Sequence, residues 1–278
     1  PTTTTEAPTT TTTVDPGTGL NEVVVLDTEG ALDVVGRSPR FGHPGETLHG
    51  IRFAGDVGYA VTFLQTDPFY VLDLADPAAP KVLGELEIPG FSAYLHPISD
   101  TEVVGFGPGP EGGVLARLFD VTDPTRPTLL DTVVVGDDSP VAWDHHALRV
   151  VDGRLLLPAN QWVTTRDPAC PPEVEAEARW DQLITELNGA YTATDPDWER
   201  IEGLEREVSE LDRCLYGTGH EQARIVWLDP AGGSLRATTI DTDADRADRV
   251  LPLEDGYLVV GEDVTRVDAR GAETAVLD

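Results

Sequence analysis

Short strands that recur as a unit predict an all-β fold, a β-propeller of four-stranded antiparallel blades carrying one inserted α-helical hairpin. The first observation is the stretch Gly58–Gly90, which reads as the strands Tyr59–Phe63, Phe69–Leu74 and Val82–Ile88 with Asp, Pro and Gly punctuation between them. The second is its partial return: Leu72–Pro80 (LDLADPAAP) becomes Phe119–Pro127 (FDVTDPTRP), so Asp73, Asp76, Pro77 and Pro80 fall on Asp120, Asp123, Pro124 and Pro127. A repeat of roughly 40 to 50 residues built from short strands is the signature of a propeller blade. The third is a series of hairpin turns marked by Asp56, Asp100, Asp152 and Asp255. Asp-Gly at two of them is a strong hairpin signal.

In chain order, Pro1–Gly19 is a Thr/Pro-rich tract with little apolar surface to offset ordering, and residues 1–19 are expected to be a disordered insert or linker. Residues 20–278 are expected to form the blades. Glu22–Asp27 and Ala31–Gly36 read as a strand pair, the outer half of a blade. The next blade takes strands near 48–53, 57–63, 69–74 and 82–88, and the following one 93–98, 102–106, 114–121 and 128–135.

The interval from Asp152 to Asp255 is about twice the others because 163–222 reads as a helical hairpin. Trp180, Leu183, Ile184, Leu187 and Tyr191 share one helical face; Trp198, Ile201, Leu204, Val208, Leu211 and Leu215 share another. Asp195-Pro196 marks a helix start and Gly217 a stop. Antiparallel helices place Cys170 beside Cys214, which predicts a disulfide. After the hairpin, Ala223–Asp229 and Ser234–Ile240 complete the interrupted blade, and four short strands from Arg249 to Leu277 supply the last.

The net charge is -31, which argues against nucleic acid and anionic membrane surfaces as partners. No apolar run reaches the length of a membrane span. Two cysteines are too few for a disulfide-built scaffold and fit no zinc spacing.

The run GIRFAGDVGYAVTFLQTDPFYVLDLADPAAPKVLGELEIPGFSAYLHPISD, with LFDVTDPTRPTLLDTVVVG and WDHHALRV, resembles the bacterial secreted C-terminal β-propeller domain family. At the short DPxxP repeats the chain is also similar to surface-protein repeats of the LVIVD type. The resemblance implies that the Thr-rich tract is an insert within a blade and that the upstream half of the same propeller is a partner. It attaches no reaction to the chain.

In a propeller, the longer connections emerge on one face around the central channel, and the inserts are expected to share that face. Asp144-His145-His146 is the most enzyme-like cluster, since an Asp beside His fixes a tautomer or completes a metal site. On an extended strand, however, His145 and His146 point to opposite sides and do not face one ion. His96, on an innermost strand, is expected to line the channel. Asp241, Asp243 and Asp245 copy the opening of a Ca2+ loop, but Arg246 stands where that loop needs Gly and Pro252 where it needs Glu. No GxSxG, P-loop, dinucleotide fingerprint or HExxH is present, so no catalytic or cofactor-binding residue is assigned.

These features favour a non-catalytic extracellular binding or scaffold module of a secreted or cell-surface protein, whose ligand is a protein or a cell-envelope component on the insert-bearing face. The competing expectation is a hydrolase or metal-dependent enzyme around Asp144, His145 and His96.

Overall fold

Asp152 and Gly153, at φ 50° and 77°, make a turn whose backbone twist matches that of the strands it joins, and similar short turns repeat down the chain. The computed structural model describes residues 9–14, 21–63, 67–88, 90, 92–165 and 167–277. The chain opens with a three-stranded antiparallel sheet of β1 (Thr9–Val14), β2 (Asn21–Leu26) and β3 (Val34–Arg37). The strand pair read from the sequence thus gains a third strand from the Thr-rich tract. Thr is β-branched and suits a strand when a neighbour supplies the ladder, as β2 does by pairing Thr9 with Leu26 through Val14 with Asn21. The rest of that tract, with its expected disorder, lies outside the described residues.

Four four-stranded antiparallel sheets follow. The first contains β4 (Thr47–Ala54), β5 (Val57–Phe63), β6 (Asp67–Asp73) and β7 (Lys81–Ile88); the second β8 (Tyr94–Pro97), β9 (Glu102–Pro108), β10 (Val114–Asp120) and β11 (Thr128–Gly136). The third contains β12 (Arg149–Val151), β13 (Arg154–Thr165), β14 (Thr218–Ala231) and β15 (Ser234–Asp241), and the fourth β16 (Arg249–Leu253), β17 (Gly256–Val260), β18 (Val264–Asp268) and β19 (Glu273–Leu277). Within each, strands lie in chain order, so neighbours are joined by short local connections except β13 and β14, between which the two helices are inserted.

Successive sheets pack face to face. Val23, Phe41, Ala60 and Tyr70 fill the seam between the three-stranded sheet and the next. Val61, Phe69, Leu95 and Phe119 fill the second seam, where the Phe69 and Phe119 rings stack at 4.5 Å. Further seams are built from Phe106, Leu118, Leu157 and Leu228, and from Leu156, Ile225, Val250 and Val259. Each fully buried side chain of this size contributes about 1.5–3 kcal/mol, and an aromatic pair adds about 0.5–1.5 kcal/mol. The strands β5 and β9 are accordingly buried on both faces, which explains their unbroken apolar runs.

The DPxxP repeat is a corner. Asp76 and Asp123 accept from the backbone N–H groups of Ala78 and Thr125 through Oδ1, at 3.0 and 3.1 Å, and from Ala79 and Arg126 through their carbonyls. Asp73 and Asp120 do the same for Ala75 and Thr122. Paired Asx turns give the motif its physical content.

The chain divides into two compact units, the second being Gln161–Gln222. Here α1 (Glu173–Tyr191) and α2 (Trp198–Tyr216) meet through Ala176, Leu183, Ile201 and Leu204, the buried residues of the pair. Both helices fall within 163–222, where the hairpin was expected, but the apolar face is narrower than the sequence suggested: Tyr191 and Trp198 at the tip are exposed. Asp197 rather than Asp195 caps α2, accepting from Arg200 N–H at 3.2 Å, and Gly217 ends it at φ 69°. Trp180 donates through Nε1 to Asp212 at 2.6 Å. Cys170 and Cys214 form a disulfide with their Cα atoms 5.4 Å apart. No helix among the described residues is long and apolar enough to cross a membrane.

Candidate functional site at the inner strand edges

In each four-stranded sheet the first strand is an edge strand. These edges approach one another, since β4 and β8 lie side by side and Tyr94 of β8 meets the His145 ring ahead of β12 at 6.3 Å. Asp144 in turn reaches Arg249 on β16. The inner edge therefore gathers residues from four sheets.

At its centre is Asp144-His145-His146. Contrary to the extended geometry expected from the sequence, residues His145–Ala147 form one 3-10 turn, with Asp144 as its cap. The Asp144 Oδ1 atom accepts from His146 N–H at 2.9 Å and meets His146 Nδ1 at 3.1 Å. The turn brings the two imidazoles together in a tilted pair, with centroids 3.9 Å apart, and puts one ligating atom from each of the three residues within 4.8 Å of the others. Among the described residues this is the grouping of acidic, His or Cys side chains with metal-ligand proximity. The Oδ2 atom, however, receives Arg249 Nη2. Hydrogen bonding from the His146 backbone, opposed by desolvation and reinforced by Arg249 and the His146 ring, holds the Asp144 carboxyl down to about 2.

His96 joins the same edge through Tyr94: the phenol oxygen and His96 Nδ1 lie 3.1 Å apart, and Tyr94 stacks on Phe106 at 6.1 Å. Burial pushes the His96 pKa down, and Arg52 on β4 lowers it further. Beside the cluster, Trp143 is 64% exposed. Sequence reading missed Tyr94, Arg52 and Arg249. Tyr94 had a signal, because residues two apart on a strand share a face and it precedes His96 by two. Arg249 had none, lying 105 residues from Asp144.

The model of the beta-propeller domain family matches residues 3–194, more than half of the chain. The chain belongs to the beta-propeller domain family. The propeller is similar to an uncharacterized protein of Archaeoglobus fulgidus, 46% identical over 144 residues that make up 51% of this chain and 23% of that protein. It is similar also to an uncharacterized protein of Methanocaldococcus jannaschii, 41% identical over 128 residues, 46% of this chain and 20% of the relative. The chain thus spans less than a quarter of the length of these curated relatives. Both relatives are archaeal and uncharacterized.

The propeller does not bring Asp241, Asp243 and Asp245 together into a cation loop. Asp241 accepts from Arg224 Nε at 2.6 Å, and Asp243 accepts from the Glu273 N–H at 3.0 Å. Arg246, at the position where a Ca2+ loop turns on Gly, pairs with Asp138 and Asp248 at 3.2 and 3.4 Å. The intervening Thr242 and Ala244 are buried and the three Asp residues exposed, so the carboxylates face solvent along the end of β15 and the bent segment that follows it.

Proposed function

We propose that this propeller is a non-catalytic extracellular binding or scaffold module whose ligand, a protein or a cell-envelope component, engages the inner strand edges. The observation that carries this reading is the pairing of Asp144. Its carboxylate is taken up by Arg249 and His146, so the most enzyme-like group of the chain is neutralised as a base, while Trp143 beside it presents an aromatic face to solvent. Exposed Trp next to fixed polar groups is the composition of a recognition surface. The disulfide between Cys170 and Cys214 supports an oxidising, extracellular setting. In the same reading, the rest of a longer propeller is the first partner of these blades.

The convergence of Asp144, His145 and His146 supports a second reading, a metal-dependent site. The Arg249 guanidinium opposes it, because a cation would have to displace a charge-assisted pair. One experiment separates the two. The full chain and its Trp143→Ala and Asp144→Asn variants are assayed for binding to isolated envelope fractions, and for turnover of ester, phosphoester and peptide substrates with and without Zn2+ or Mn2+. Envelope binding lost in Trp143→Ala, with no turnover, supports the module. Metal-dependent turnover abolished in Asp144→Asn overturns it.

A further inference from the structure

The inner edge also carries polar groups that the internal pairs leave free. Arg52 forms no ion pair or hydrogen bond among the described residues, and its side chain is exposed. The His145 ring touches Tyr94 and His146 but has no hydrogen-bond partner among the described residues. His96 spends Nδ1 on Tyr94, which leaves Nε2 for another group.

The charges around these groups are unusual for so acidic a chain. Arg52 lies on β4, which runs beside β8, the strand of Tyr94 and His96, and its charge acts on both of these side chains. The nearby carboxylate, Asp144, is already matched by Arg249. In a protein of net charge -31, a cluster of donors without internal partners among the described residues is a local exception.

We infer that Arg52, Tyr94, His96 and His145 form an anion subsite that takes a single carboxylate or phosphate group of the ligand. The guanidinium supplies a planar fork that matches either group, and the imidazoles supply single N–H donors around it. The global negative charge does not forbid this. At physiological salt the Debye length is about 8 Å, so acids elsewhere on the surface are screened at the subsite, whereas a long polyanion would run across them and be repelled. The ligand is therefore one acidic group on an otherwise neutral body.

This inference rests on the binding-module reading and refines it. The test uses the full chain, with inorganic phosphate and D-glucuronate as probes and glucose as a neutral control, at constant ionic strength. The ring C–H resonances of His96 and His145 are followed by NMR. Saturable shifts with either acidic probe and none with glucose are expected, and the probe that saturates tells phosphate from carboxylate. Arg52→Gln, at an exposed side chain without internal bonds, is expected to weaken saturation roughly tenfold, while Arg126→Gln, at a distant exposed corner, leaves it unchanged. No saturable shift with either probe, or an unchanged titration in Arg52→Gln, overturns the subsite. Envelope binding that still depends on Trp143 would in that case leave the module itself standing.

Discussion

Gly84 on β7 lies directly against Pro124 of the next sheet: a Cβ added at Gly84 would stand 2.6 Å from the Pro124 carbonyl oxygen. Gly36 on β3 meets Pro77 in the same way, at 2.3 Å. Each of the two DPxxP corners is thus seated on a bare Cα of the preceding outer strand. Neither glycine has a positive φ, so contact alone demands it. Gly84→Ala is expected to destabilise by about 1–3 kcal/mol through overpacking against backbone that has no rotamer to yield. Thermal melting checks this against Gly30→Ala, whose Cβ would meet nothing within 4 Å.

Loss of the Cys170–Cys214 bond is expected to loosen the helical pair selectively. The sequence separation of 44 residues corresponds, by loop entropy, to about 4 kcal/mol as an upper figure. The buried contacts of the pair are few, with Ala176, Leu183, Ile201 and Leu204 at their centre. Under reduction, hydrogen exchange should rise in α1 and α2 while β5 and β9 stay protected. Unchanged helical protection would refute this.

His43, paired with the buried carboxylate of Glu46, gives the first seam a pH dependence. Glu46 is 3% exposed and accepts from Thr62 Oγ1 at 2.6 Å, from His43 N–H at 2.8 Å and from His43 Nδ1 at 2.9 Å. The hydrogen bond and charge of Glu46, with smaller help from Glu85 and Glu87, raise the His43 pKa above 6.5. A raised folded-state value means that the contribution is complete below pH 6.5 and is lost as pH rises through the folded value. Denaturant midpoints should fall as pH rises above 6.5, and His43→Gln should flatten that slope.

Asp144 titrates in the opposite sense. Its depressed value means a stabilising contribution that is present above the ordinary carboxylate range and lost as pH falls toward about 2. In Arg249→Ala the Asp144 midpoint should move upward yet stay below that of a free carboxylate, because the first cause, the His146 backbone N–H, remains. A carboxyl 13C titration that leaves the midpoint in place would show Arg249 to be a bystander.

The sequence by itself determined the elements whose causes are local. Alternating and continuous apolar runs fixed β5, β6, β9 and β10; Asp and Gly at Asp152-Gly153 fixed a turn; and the Asx corners of DPxxP announced the repeat. The helix periodicity and the position of Gly217 set the hairpin and, with it, the meeting of Cys170 and Cys214. What the tertiary structure decided lies across sheets. His145 and His146 look strand-like in sequence, but Asp144 closes a 3-10 turn that brings their rings together, because a side-chain cap competes with the extended ladder. Whether Asp144 is a free acid or a matched one depends on Arg249, brought to it only when the inner edges converge. The position equivalent to Gly84 in the next repeat is Asp131, which instead accepts from the Leu235 N–H at 2.8 Å, a partner 104 residues away that no local pattern encodes. Local backbone preference is written residue by residue, whereas charge pairing at a site depends on which distant edges the packing brings within a few ångströms.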